Sequence, residues 1–143
     1  MEYIKSKDIY LLMRDILKLI NPTLMEHGSR VAYIVYKMLQ EENRYEEFEL
    51  ADIVMVATMH DIGAYKTEQA RINDMLQYET RESMAHSIYG HLLFKYLSPV
   101  PELARVIMYH CRDYEKLQSV DYEYKDVAAY INIAEKVDIY SNT

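Results

Sequence analysis

Apolar positions step along almost the whole chain in threes and fours, the spacing of one helix face. Leu24, His27, Val31, Ile34 and Met38 make one such stripe, and His86, Gly90, Leu93 and Leu97 a second. Leu103, Val106, Ile107 and His110 make a third, and Val127, Ile131, Ala134 and Asp138 a fourth. With only three glycines and three prolines to interrupt it, the pattern predicts an all-α domain, a bundle of about six helices. The first runs from Ser6 to Ile20; Asn21 then caps, and Pro22 opens, a second that reaches Glu42. A third spans Glu46 to Asp61. Thr67 to Leu76 reads as a short helix or irregular segment. Thr80 caps a helix to Leu97, Ser98 to Pro101 is a break, and Pro101 opens a helix to Arg112. The polar run Asp113 to Tyr124 is a loop, and a last helix covers Lys125 to Tyr140.

The third helix is the one around which the rest should gather. Leu50 to Met59 contains only Asp52 and Thr58 as polar residues, leads directly into His60-Asp61, and is stopped by Gly63. A helix apolar nearly all round belongs in the centre of a domain. Its end then delivers an imidazole and a carboxylate to the interior, where an unpaired carboxylate is very costly. A glycine-capped helix end allows the two to converge on one ion or on neighbouring ions. The plainer alternative is a histidine set against the helix dipole, with Asp61 capping the next turn.

Composition narrows the class. The 143 residues are half hydrophobic, enough for one globular domain, 1–143, with a real core and no internal boundary or repeat. No stretch approaches the roughly 18 consecutive apolar residues of a membrane span, and the start, MEYIKSKDIY, has no secretory pattern. The single cysteine, Cys111, fits a reducing cytoplasm. A net charge of -7 argues against a nucleic-acid binder, but bound metal ions can reverse the local field for a small phosphorylated substrate. Fifteen tyrosines are half-buried packing and carry no function here.

Candidate chemistry comes from the polar residues that interrupt apolar faces. His27, His86 and His110 each lie on such a stripe, Asp138 ends another, and His60-Asp61 ends the central helix. His91 differs: its face reads Ser83, Ser87, His91, Lys95, a solvated stripe, and it is assigned to the surface. One histidine on an apolar face is more often a hydrogen-bonded core residue than a ligand. Four imidazoles and two carboxylates aimed inward are another matter, because each buried polar group needs a partner. Metal ions satisfy them at once. The donor mix suits iron, manganese or zinc rather than calcium. Six donors exceed what one four-coordinate structural zinc uses, so two ions are the better inference.

In their order, His27, His60-Asp61, His86, His110 and Asp138 resemble the HD superfamily of metal-dependent phosphohydrolases. The intervals resemble its HD-GYP subfamily: His27-Gly28-Ser29-Arg30-Val31-Ala32 is similar to the opening helix motif, and His60-Asp61-Ile62-Gly63 matches HDIG. His86 to Gly90 is similar to the HxxxG helix, and Val137 to Tyr140 to the terminal Asp motif. The similarity covers Thr23 to Tyr140. There are departures. The lysine that usually follows HDIG is replaced by Ala64, with Lys66 two residues on. Paired histidines are replaced by His110-Cys111. No glycine follows Gly90, so the GYP loop that bears on cyclic di-GMP is absent from this sequence. Relatives continue into a further helix beyond the terminal Asp, so the chain is either a compact version or a cut one.

The resemblance implies phosphoester hydrolysis of a nucleotide or related phosphoester. Asp61 would bridge two divalent ions, iron or manganese with zinc as the alternative, with His27, His60, His86, His110 and Asp138 around them. A hydroxide between the ions would attack phosphorus in line. Lys66 joins Asp61 as a catalytic candidate, and Lys66, Arg71 and Arg30 are candidates for holding substrate oxygens. For Arg30 and Arg71 an ordinary surface or ion-pair role is favoured. Cys111 is either a soft extra ligand or, as favoured here, a small core residue. The competing reading is a catalytically silent HD module for ligand sensing or partner binding; a purely structural metal site is a weaker third.

Overall fold

The computed structural model describes residues 6–66 and 81–142, and the regular structure of the described part is all helical. Seven α-helices are described: α1 (Ser6–Ile20), α2 (Pro22–Glu42), α3 (Glu47–Thr58), α4 (Arg81–Leu97), α5 (Ala104–Tyr109), α6 (Tyr114–Leu117) and α7 (Lys125–Ser141). Two 3-10 helices accompany them, Ile62–Lys66 and Pro101–Leu103. No strand occurs among the described residues, and no helix there is long and apolar enough to cross a membrane. The expected segment Thr67 to Leu76 and the Thr80 cap lie outside the described residues.

Local sequence explains most of the ends. The side chain of Asn21 accepts from the Leu24 N–H at 3.1 Å, and Pro22 fills the first position of α2, where no donor is needed. The helix stops at Asn43, which takes the left-handed conformation (φ 49°) and returns its N–H to the carbonyls of Leu39 and Gln40. Glu49 reaches back to the Glu46 N–H at the start of α3.

The core is a packing of α2 against α3 and α7, with α5 against α4 and α7. Val31, Val35, Val56, Ala57, Val106, Ile107, Val127, Ala128, Ile131 and Ala134 are fully buried within it. Only the second half of α3 is central. Ile53 and Met55 to Thr58 are buried, whereas Phe48 in its first turn is 70% exposed. The segment expected to be loop between Asp113 and Tyr124 contains α6, which buries Leu117 against the core.

The structure corrects the end of the central helix. The α-helix stops at Thr58, not Asp61; Met59 and His60 bond back to Val56 and Ala57, three residues each, and the chain tightens into the 3-10 turn Ile62–Lys66. Gly63 is not a left-handed cap either, since no glycine has positive φ among the described residues. Its role is close approach to the backbone of α4.

Candidate metal centre

Two glycines bring backbone against backbone and so set the geometry. A Cβ on Gly28 would lie 2.2 Å from the Thr58 carbonyl oxygen, so α2 crosses the end of α3 with no room for a side chain. That crossing carries His27 to His60-Asp61. A Cβ on Gly63 would lie 1.9 Å from the His86 carbonyl oxygen and 2.7 Å from the Gly90 nitrogen. The turn that holds Asp61 therefore rests directly on α4, and His86 comes with it. His110 stands at the end of α5, one residue past Tyr109. His27, His60 and His110 are wholly buried; Asp61 and His86 nearly so.

Asp61 is the hub. Its Oδ2 lies 3.0 Å from His60 Nε2 and 3.5 Å from His27 Nε2. Its Oδ1 lies 3.2 Å from His86 Nε2 and 3.4 Å from His110 Nε2. The two oxygens thus face two different pairs of imidazoles. A second carboxylate closes the first pair: Glu135 Oε1 is 3.5 Å from His60 Nε2 and 3.8 Å from His27 Nε2. Cys111 closes the second: its Sγ is 3.3 Å from His110 Nε2 and 3.5 Å from His86 Nε2. His27, His60, Asp61 and Glu135 form one set of donor atoms close enough to share an ion; His86, His110 and Cys111 form another.

Not every expected residue takes its expected place. Asp138, expected among the ligands, stands behind His27. Its Oδ2 accepts from His27 Nδ1 at 2.8 Å, and Arg30 grips both oxygens, Nε to Oδ1 at 2.6 Å and a terminal nitrogen to Oδ2 at 3.1 Å. With both oxygens so engaged, Asp138 orients an imidazole instead of joining the donor cluster. Arg30 is thus ion-paired with Asp138. Glu135 takes the position the sequence reading gave to Asp138. It lies four residues after Ile131 and three before Asp138, so it shares their face, but its neighbour Lys136 makes that stretch look solvated. His91 is partly buried, not solvated, and belongs to neither donor set. The side chain of Lys66 and the whole of Arg71 lie outside the described residues.

The hydrogen-bond pattern tests whether metal ions fit. His60 Nδ1 lies 2.7 Å from the Ala57 carbonyl oxygen, and His110 Nδ1 contacts that of Ile107. Carbonyls and carboxylates accept only, so Nδ1 carries the proton on His27, His60 and His110. In each neutral ring the Nε2 lone pair then points at the oxygens of Asp61, which also have only lone pairs to offer. His27 Nε2, His60 Nε2 and both oxygens of Asp61 have no hydrogen-bond partner among the described residues, despite separations as short as 3.0 Å. Lone pairs facing lone pairs in a dry pocket call for a cation. Divalent ions fit.

Without metal, protons are the substitute. Burial works against a charge on His60, yet Asp61 and Glu135 outweigh it and raise its pKa well above the usual value. His86 is raised in the same way, burial being overcome by Asp61. Burial would raise Asp61, but His60, His110 and His86 together hold it well below the carboxylate range. Glu135 falls to about 2, because His27 and His60 outweigh burial and the repulsion of Asp61. Asp138 is lowered against its burial by Arg30 and His27.

Comparison with known proteins adds one match. The family model described as HD domain matches residues 24–140, which takes in every donor named above. No curated protein and no solved structure matches the chain.

Proposed function

The chain belongs to the HD domain family, a superfamily of metal-dependent phosphohydrolases, and on that premise we propose that it hydrolyses a nucleotide or related phosphoester with two divalent ions. One observation carries the reading: four imidazole Nε2 atoms converge on the two unpartnered oxygens of a single buried carboxylate, Asp61. Burying such a set is expensive and serves no purpose in packing that apolar residues would not serve better.

His27, His60, Asp61 and Glu135 would hold one ion; Asp61, His86 and His110 the other. Divalent ions bound there activate water as a nucleophile and neutralise charge on phosphoryl oxygens. The protein's own residues keep the donors in place. Asp138 fixes the His27 ring, the Ala57 and Ile107 carbonyls fix His60 and His110, and Arg30 keeps Asp138 charged. Asp61 spans both donor sets and fixes their separation. No serine or cysteine nucleophile is needed.

A silent ligand-binding module is the second reading. It is favoured by Ala64, which is buried at the position where HD-GYP relatives usually carry lysine. One experiment separates the two. Protein loaded with manganese, iron or zinc is assayed on a panel of nucleotides and cyclic dinucleotides, alongside Asp61→Asn. The enzyme reading expects turnover by the wild type and its loss, with both ions, in the variant. Fully metallated wild type inert on the whole panel would refute it.

A further inference from the structure

Resting on the metal centre just proposed, we infer that its two subsites are chemically unlike, and that Cys111 ligates the second ion as a thiolate. The first subsite is wholly nitrogen and oxygen: His27, His60, Asp61 and Glu135. The second is His86, His110 and Cys111, with Asp61 Oδ1 beside it. The thiolate makes that subsite soft and selects zinc there, while the subsite of mixed nitrogen and oxygen donors takes manganese or iron.

The spacing of the donor atoms matches zinc. Zinc bonds of about 2.3 Å to sulfur and about 2.0 Å to nitrogen, at the tetrahedral angle, separate sulfur from nitrogen by about 3.5 Å and two nitrogens by about 3.3 Å. Cys111 Sγ lies 3.3 Å from His110 Nε2 and 3.5 Å from His86 Nε2, and the two nitrogens are 3.2 Å apart. Those three edges are within a few tenths of an ångström of one face of a zinc tetrahedron, and Asp61 Oδ1 lies 3.2 and 3.4 Å from the same nitrogens. The first subsite is more open, its nitrogen-to-oxygen edges running from 3.0 to 3.8 Å.

The cysteine does not stand alone. Asp61, whose side chain is only 4% exposed, aims an unpartnered oxygen at the same point. Cys111 is itself partly exposed, at the rim of the cluster, which is not where a small core filler sits. Three negative ligands, Asp61, Glu135 and the thiolate, against two divalent ions leave the centre with one positive charge before any hydroxide binds.

Cobalt(II) tests this directly, because a thiolate bound to cobalt gives an intense near-ultraviolet charge-transfer band that nitrogen and oxygen ligands do not. Wild-type protein titrated with Co2+ should develop the band, and X-ray absorption of the zinc form should show one sulfur neighbour at about 2.3 Å. In Cys111→Ser the band should vanish and zinc affinity at one of two sites should fall at least about tenfold. Glu135→Gln, on the other subsite, should keep the band. Two bound cobalt ions in the wild type with no band would overturn the thiolate assignment and leave the metal centre standing. No cobalt bound at all would overturn the metal centre itself. Should Cys111→Ser fail to fold, the wild-type spectrum and absorption data still decide.

Discussion

Replacing Gly63 by alanine adds a single methyl group, and its cost follows from the backbone. The new Cβ would sit 1.9 Å from the His86 carbonyl oxygen and 2.7 Å from the Gly90 nitrogen. Both neighbours are main-chain atoms of α4, so no side chain can rotate away. To reach ordinary contact the 3-10 turn and α4 must part by about 1.5 Å, an overpacking strain at or above the top of the usual 1–3 kcal/mol range. For a chain of this size about 3 kcal/mol lowers the melting temperature by roughly 10 °C. The same displacement separates His86 from Asp61, now 3.2 Å apart, and opens the second donor set. Thermal unfolding followed by circular dichroism in chelator measures the first effect, and metal content by mass spectrometry the second. Gly63→Ala should melt near 10 °C lower and retain about one ion where wild type should hold two. A variant that melts within about 2 °C of wild type and keeps both ions would refute the claim that this contact positions His86.

Arg30→Met leaves the Asp138 carboxylate with His27 and Asn142 as its remaining side-chain partners. Because Arg30 is 44% exposed, solvent screens part of the loss, and destabilisation should stay near 1–3 kcal/mol; metal affinity, measured by calorimetric titration, should fall about 10- to 100-fold through the loosened His27 ring. Unchanged affinity would show that Asp138 does not orient His27. The pH dependence of stability should invert with metal. In chelator, the raised His60 and His86 contribute stability below their ordinary pKa and lose it as pH rises through the raised values, while Asp61, Glu135 and Asp138 lose theirs as pH falls through their lowered ones. The metal-free protein should therefore be most stable in mild acid. With metal present, stability should rise from mild acid toward pH 8, because ions replace protons on the imidazoles. Melting curves across pH with and without chelator check both; a metal-free protein that gains stability from pH 6 to 8 would contradict the assignment.

The legibility of this site varied with the kind of contact that makes it. Three inward histidines, His27, His86 and His110, could be read because each interrupts an apolar stripe, a signal that local periodicity preserves, and His60 because it ends a helix apolar nearly all round. An ion pair was one of the roles open to Arg30 in sequence, but its partner Asp138 was not. Glu135 was hidden because a buried acid beside Lys136 looks the same in sequence as a solvated one; only the docking of α7 against α2 decides. The end of α3 at Thr58 was equally hidden. Nothing in VATMHDIG forbids another helical turn, and the tight 3-10 path is set by contact with α4, a segment some twenty residues away. The four-residue α6 was missed in a polar run because a single anchor, Leu117, gives no periodicity to detect.

The rings of His60 and His110 share a device with a consequence of its own. Each gives its Nδ1 proton to the carbonyl three residues earlier, on the last turn of its own helix, where carbonyls lose their regular helical partners; at Ala57 the ring adds to a bond from the His60 N–H. The proton that aims the ring is also the plug that finishes the helix. Any replacement at these two places must therefore supply a donor on one side and a lone pair on the other at a matching distance. Imidazole sets the two on opposite sides of one rigid ring, whereas the amides of Asn and Gln fork both from a single carbon, so at these two helix ends the choice of residue is constrained by backbone architecture as well as by whatever the pocket holds.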